Sequence, residues 1–194
     1  MSKQSQMNKI KAKVLGLKES PLYTDRVENG YVPVIGEGSL DADIVFVGEA
    51  PGKNEAKTGR PFCGASGKVL DELLSFIDIK RADVYITNII KDRPVDNRDP
   101  KSEEIELYTP FLIQQFQIIQ PKVIATLGRF SMKFVLEYFN LKDEIQSISD
   151  IHGKIFETKT KWGTVKIIPL FHPAVAVYNR TRLQELKSDF EILK

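Results

Sequence analysis

The sequence predicts an α/β fold: three layers, α/β/α, around a central, mainly parallel, four-stranded sheet. Four short apolar runs have strand character: Ile44–Val47, Val84–Ile90, Val123–Leu127 and Val165–Phe171. None alternates cleanly, as befits strands buried on both faces. Longer segments with helical spacing separate them, the pattern of a parallel sheet with helices on each side. A chain of 194 residues with 42% hydrophobic content can bury one proper core. A single domain over 1–194 is therefore expected, with 1–40 a basic segment and loop and 42–194 the motif-bearing core.

In chain order, the first eighteen residues carry Lys3, Lys9, Lys11, Lys13 and Lys18 and no acid before Glu19. This reads as a solvated helix face or frayed tail whose lysines add only non-specific affinity for polyanions. Residues 31–41 read as a loop or hairpin piece, followed by the first strand. Lys68–Ile79 is helical, with Val69, Leu70, Leu73, Leu74 and Ile77 on one face and Ser66 as its cap. After the second strand, Ser102–Ile119 repeats the pattern through Ile105, Leu112, Phe116 and Ile119. Arg129–Phe139 follows the third strand. Residues 153–164 read as a second loop or hairpin piece, and a final helix is expected from about Arg182 to Lys194.

Composition excludes several classes. One cysteine, Cys63, permits neither an internal disulfide nor a four-thiolate metal site. No run approaches eighteen apolar residues, and the first sixteen hold no uninterrupted hydrophobic segment, so no membrane association and an intracellular setting, in cytoplasm, nucleoid or nucleus, are expected. A net charge of +2 permits a nucleic-acid partner without requiring one.

Ligands of an open parallel sheet bind outside the carboxyl ends of its strands. Those positions are polar here: Gly48-Glu49-Ala50-Pro51-Gly52 after the first strand, Asn88 and Lys91-Asp92-Arg93 at the second, Gly128-Arg129 after the third, His172-Pro173 after the fourth. An acid, an amide and an imidazole converging on one rim point to a binding or catalytic site. Gly64-Ala65-Ser66-Gly67-Lys68 has only two residues between its glycines and Val69 where a phosphate loop needs Ser or Thr, and Gly48–Gly52 does not fit a dinucleotide fingerprint. Ser66, Gly67 and Lys68 at a helix entry still suit a single phosphate; close helix–strand packing explains the glycines equally well.

The motifs GEAPG, KTGRPFCGASG, TNIIKDRPVDNRDP, PKVIATLG and PLFHPAV, in this order over roughly residues 42 to 194, resemble the family-4 uracil-DNA glycosylases of the uracil-DNA glycosylase superfamily. The resemblance implies hydrolysis of the N-glycosidic bond of uracil in DNA, leaving an abasic site after the base has been flipped into a pocket. Glu49 would serve the cationic sugar and the attacking water, and His172 would donate to uracil O2 as negative charge gathers there. Gly48, Ala50, Glu55, Phe62 and Asn88 would form the uracil pocket: Asn88 reads N3–H and O4, Phe62 stacks on the base, and Glu55 walls the C5 side. DNA contacts would come from Ser66, Gly67 and Lys68 and from Pro173, Ala174, Val175, Val177, Tyr178, Arg180 and Arg182, with the wedge open among Val175, Val177 and Tyr178.

Family-4 members hold a [4Fe–4S] cluster on four cysteines, two before the first strand and two in the segments matching Lys91–Pro94 and the helix after it. Asp92 and Tyr108 stand at the latter two places and residues 1–40 contain no cysteine, so no iron–sulfur cluster and no other cofactor or metal is expected. Packing from Leu22, Tyr23, Tyr31 and Tyr108 is expected to brace the loops instead. The partner implied is uracil-containing DNA, met by a monomer. A non-catalytic uracil or damaged-DNA binding module, and a hydrolase of free nucleosides, are the alternatives.

Overall fold

A computed structural model describes residues 1–194. Its helices are α1 (Lys3–Leu15), α2 (Tyr23–Glu28), α3 (Lys53–Thr58), α4 (Ala65–Phe76), α5 (Ser102–Ile119), α6 (Arg129–Tyr138), α7 (Ile148–Ile151), α8 (Ala174–Tyr178) and α9 (Leu183–Phe190). The strands are β1 (Glu37–Gly38), β2 (Ile44–Gly48), β3 (Tyr85–Asn88), β4 (Val123–Leu127), β5 (Phe156–Thr160) and β6 (Gly163–Leu170). They form one six-stranded sheet in the order β1-β3-β2-β4-β6-β5.

The four strands expected from the apolar runs are the parallel centre of this sheet, β3-β2-β4-β6. The strand count is corrected from four to six. Both additions come from segments read as loops or hairpin pieces, and both are antiparallel edges, β1 on β3 and β5 on β6. β1 has two residues, and β5 (FETKT) alternates half-buried and exposed positions, so neither offers a buried apolar run. Charged residues on such an edge also discourage pairing with another chain.

Alternation within the central strands divides the core in two. Val45 and Val47 face one side with Tyr85, Ile124, Val165 and Ile167, under α1, α5 and α6. Ile44 and Phe46 face the other with Ile86, Ala125, Ile168 and Leu170, under α4 and α9. The result is the α/β/α layering the sequence predicts.

Two local expectations are corrected. Ser66 lies inside α4, whose cap is Gly64, and makes no capping bond. The basic N-terminus is an integral helix. Ser2 caps α1 by accepting from the Ser5 N–H at 3.2 Å, and Met7, Ile10 and Val14, spaced three and four apart, are buried in the first core. Lys9, Lys11 and Lys13 point outward, so the same segment is a solvated face and a core stripe at once. Lys3 ties the start of α1 to Asp41 at 2.8 Å. Ile10→Ala is therefore expected to lower stability by about 2–5 kcal/mol in urea denaturation, the range for truncating a buried aliphatic side chain; an unchanged midpoint would return the segment to a frayed tail.

Candidate active site

The rim is built by the β2·β3 ladder. Gly48 and Asn88 are pairing partners in it, so Asn88 stands beside the residue that precedes Glu49. The pairing continues past the strands: Ile89 N–H donates to Gly48 O at 3.0 Å and Ile90 N–H to Glu49 O at 3.1 Å. Across the sheet Leu127 pairs with Leu170, which brings His172 to the same edge from β6.

A pocket of about 190 Å³ opens there, lined by Ala50, Gly52, Glu55, Phe62, Ser66, Asn88 and His172. A larger groove of about 750 Å³ lies near the start of β4, beside Gln120 and Trp162. Chemistry rather than size singles out the smaller one. Asn88 is buried, and its side-chain amide makes no hydrogen bond to the protein. Its polar atoms are not sealed off but face the pocket, where an entering group can take their hydrogen bonds. Gly48 is the floor: a methyl group on it would stand 2.3 Å from Asn88 Oδ1 and 2.8 Å from the Phe62 ring, so only glycine lets both residues occupy their places.

Phe62 has a left-handed backbone, with φ 47°, which a bulky residue adopts only when its surroundings impose it. Glu55 Oε1 accepts from the N–H groups of Cys63 at 3.0 Å and Gly64 at 2.9 Å, and Arg81 donates to Pro61 O at 2.6 Å. Gly67 packs so close that a Cβ would fall 1.8 Å from Phe62 O. Glu55 thus lines the pocket and also clamps the Phe62 loop, while Gly67 is buried and has a steric reason to be glycine. Lys68 is exposed, and Ser66 half-buried against the pocket. Arg81, a support of this loop, left no sequence signal, because its contact with Pro61 spans twenty residues.

The two ionisable groups of the rim have displaced pKa values. Burial, reinforced by the charge of Asp99 and opposed by Arg129, raises the Glu49 carboxyl to about 7. Asp99 and Arg129 pair with each other at 2.9 Å. Burial lowers His172 to about 4, so its imidazole is neutral near neutral pH. The Ala174 N–H donates to His172 Nδ1 at 3.1 Å, which places the ring proton on Nε2. The His172 and Phe62 ring centres are 5.6 Å apart. Glu49 itself stands half-buried beyond the pocket lining and makes no side-chain hydrogen bond or ion pair.

The segment after His172 is less uniform than its sequence implies. Pro173 and Ala176 are buried, Ala174 is half-buried, and Val175 packs against the second core. Val177 and Tyr178 are exposed, Tyr178 to 90%. Arg180 pairs with Glu72 at 2.5 Å, and Arg182 with Glu185 at 2.6 Å while its guanidinium lies 4.5 Å from the centre of the Phe171 ring. Exposed pairs of this kind are worth little and yield readily to a stronger anion.

A pocket of this size, with a neutral imidazole, an amide that bonds nothing in the protein and an aromatic wall, has the dimensions and groups to hold one planar heterocycle, with the half-buried Glu49 carboxyl beyond its lining. The class so defined is an enzyme acting on a single base. Residues 35–194 match the Uracil DNA glycosylase superfamily, and the chain belongs to it. It is 46% identical over 167 residues to the Type-4 uracil-DNA glycosylase of Archaeoglobus fulgidus, covering 86% of this chain and 81% of that one. It is 43% identical to that of Thermotoga maritima (83% and 78% covered) and 40% identical to that of Sulfurisphaera tokodaii (97% and 83%).

The cluster that the family implies does not fit these residues. The chain has one cysteine, Cys63, half-buried next to Phe62, and no group of three or more His, Cys, Asp or Glu is arranged around a metal. At Asp92 and Tyr108 a buried polar network stands instead. Tyr108 donates to Asp92 Oδ2 at 2.5 Å, Arg26 donates to the same oxygen at 2.9 Å, and Ser20 lies 2.9 Å from the Tyr108 hydroxyl. Arg26 also donates to Val14 O and Leu15 O, at 3.0 and 2.6 Å. Leu22 and Tyr108 are buried as expected of a brace, whereas Tyr23 and Tyr31 are half-exposed and stack on Arg26 and Arg93. Burial pushes the Asp92 carboxyl up against the pull of Tyr108 and Arg26. Asp92→Ala would strand the Arg26 guanidinium and is expected to cost about 3–5 kcal/mol in urea denaturation; a loss below about 1 kcal/mol would show that the network braces nothing.

Proposed function

We propose that this protein removes uracil from DNA by hydrolysing the bond between uracil N1 and deoxyribose C1′, acting as a monomer over residues 1–194, within the cell, and without a cofactor. The family and its Type-4 relatives support the reaction class. The observation that carries the chemistry is the fixed tautomer of His172, a neutral imidazole whose Nε2–H is the only proton it has for the pocket.

In this reading a flipped uracil stacks on Phe62 and meets Asn88, whose amide accepts from N3–H and donates to O4. Cytosine presents the reverse pattern and would leave both groups unpaired, a discrimination that rejects it strongly. The C1′–N1 bond breaks with its electron pair going to N1. Positive charge builds on the sugar beside Glu49, and negative charge spreads over the base toward O2, where His172 donates without giving up its proton. Water then adds to C1′, Glu49 takes the water proton, and the uracil anion is protonated by solvent. Preorganised donors of this kind favour the transition state over the bound substrate.

Access to a duplex base requires a wedge. Of Val175, Val177 and Tyr178 we choose Tyr178, because Val175 is committed to the core and Tyr178 is almost wholly exposed on the segment that carries His172. Arg180 and Arg182, with Lys68 one turn before Glu72 on α4, are the phosphate contacts, the two arginines exchanging exposed carboxylate partners for the backbone.

Only ionised Glu49 can serve cation and water, and its carboxyl sits at about 7. The single-turnover rate is therefore expected to rise with pH through a midpoint at about 7 and to level off once the carboxyl is fully ionised. No falling limb comes from His172, whose imidazole is already neutral above about 4. Glu49→Gln should flatten that profile and lower the rate about a hundredfold or more while duplex binding survives. Near-normal rates in the variant would leave the acid as a turn-forming residue. Tyr178→Ala should slow uracil release from duplex by about tenfold while barely affecting single-stranded DNA, where no base need be unstacked. Equal losses on both substrates would remove it as the wedge. Purified protein should be colourless and free of iron by elemental analysis.

A further inference from the structure

Directly behind Asn88 lies a lysine that the reaction as described does not use. Lys91 is fully buried and has no carboxylate within ion-pair distance. Its Nζ donates to Asn88 O at 2.6 Å, Gln115 Oε1 at 2.6 Å and Thr87 Oγ1 at 2.8 Å. A buried amine is expensive, and an aliphatic side chain of the same length would fill the space without that cost, so its reason for being there lies in the bonds it makes.

We propose that Lys91 is a positioning residue for uracil recognition, pinning the Asn88 backbone through its carbonyl so that the Asn88 amide enters the pocket at one fixed angle. The inference rests on the reading of Asn88 given above. The Asn88 side chain has no protein partner of its own, so its aim depends on its backbone and on the Gly48 floor. Asn88 is the last residue of β3; the Ile89 N–H bond to Gly48 O holds one side of the peptide that follows it, and Lys91 takes its carbonyl on the other.

The pin is itself anchored. Gln115 Nε2 donates to Ile35 O at 2.8 Å and to the Tyr85 hydroxyl at 3.1 Å, which turns its Oε1 toward Lys91. Thr87 Oγ1 donates to Ile35 O at 2.8 Å. Burial holds Lys91 well below the ordinary lysine value, yet the bond to Asn88 survives in either charge state. An ammonium gives one proton to each of the three acceptors. A neutral amine gives two, to Asn88 O and Gln115 Oε1, and accepts the Thr87 proton, while Ile35 O keeps the Gln115 amide.

The test is a double-mutant cycle on single-turnover uracil release from a U·G duplex, with duplex binding and thermal melting measured on each protein. Lys91→Met should lower the rate about tenfold or more in the parent, with binding changed by less than about threefold, and should cost less than about twofold in the Asn88→Ala background. An equal factor in both backgrounds, or a parent-like rate for Lys91→Met, would overturn the proposal. Should Lys91→Met fail to fold, Gln115→Leu, which removes one acceptor and the anchor, takes its place in the same cycle with the same two outcomes. If the parent binds the duplex and releases no uracil, the glycosylase reading fails instead, a result distinct from any of these.

Discussion

Everything at the rim depends on the register between β2 and β3. The ladder makes Gly48 and Asn88 neighbours, and the two hydrogen bonds beyond it lock residues 48–49 to residues 89–90. Because side chains alternate across a sheet, a slip of one residue would send the amide into the core and an apolar side chain into the pocket. The cores on the two faces oppose such a slip by packing, since Val45 and Val47 are fitted into one and Ile44 and Phe46 into the other. Site geometry is in this sense a by-product of hydrophobic burial, sharpened by a floor of glycine and an aromatic residue held in a strained backbone.

The Arg26–Asp92–Tyr108 network joins three pieces of chain: the N-terminal helices, the segment after β3, and α5. An ion pair in such a place is weak evidence for stability, because desolvation offsets much of the attraction. What it supplies is direction. A guanidinium that must satisfy two carbonyls of α1 and a carboxylate of the post-β3 segment fits one arrangement of those elements. That segment also carries Lys91, so the brace and the Asn88 end of β3 are adjacent in the chain.

Much of this was legible in the sequence, and the failures have physical causes. The four central strands announced themselves because burial on both faces demands uninterrupted apolar runs. The edge strands did not, since β1 is two residues long and β5 is half solvated. Glu49, Asn88 and His172 were legible as polar residues interrupting apolar runs at strand ends. Lys91 was visible on the same rim, but its burial was not, because nothing local distinguishes a lysine that turns inward to Gln115, twenty-four residues away. The basic N-terminus misled because its charge was conspicuous and its stripe of Met7, Ile10 and Val14 sparse.

That first helix also has a consequence for how the chain is assembled. Lys3 reaches the carbonyl of Ile119, 116 residues away, and Met7 lies against Gln115. During synthesis, at about 5–20 residues per second, α1 emerges before α5 and waits several seconds for the surface it needs. Loop closure over such a distance comes late relative to local contacts. A helix made well before its partner surface is thus among the last elements to be secured, and for that interval its apolar stripe is open to other contacts.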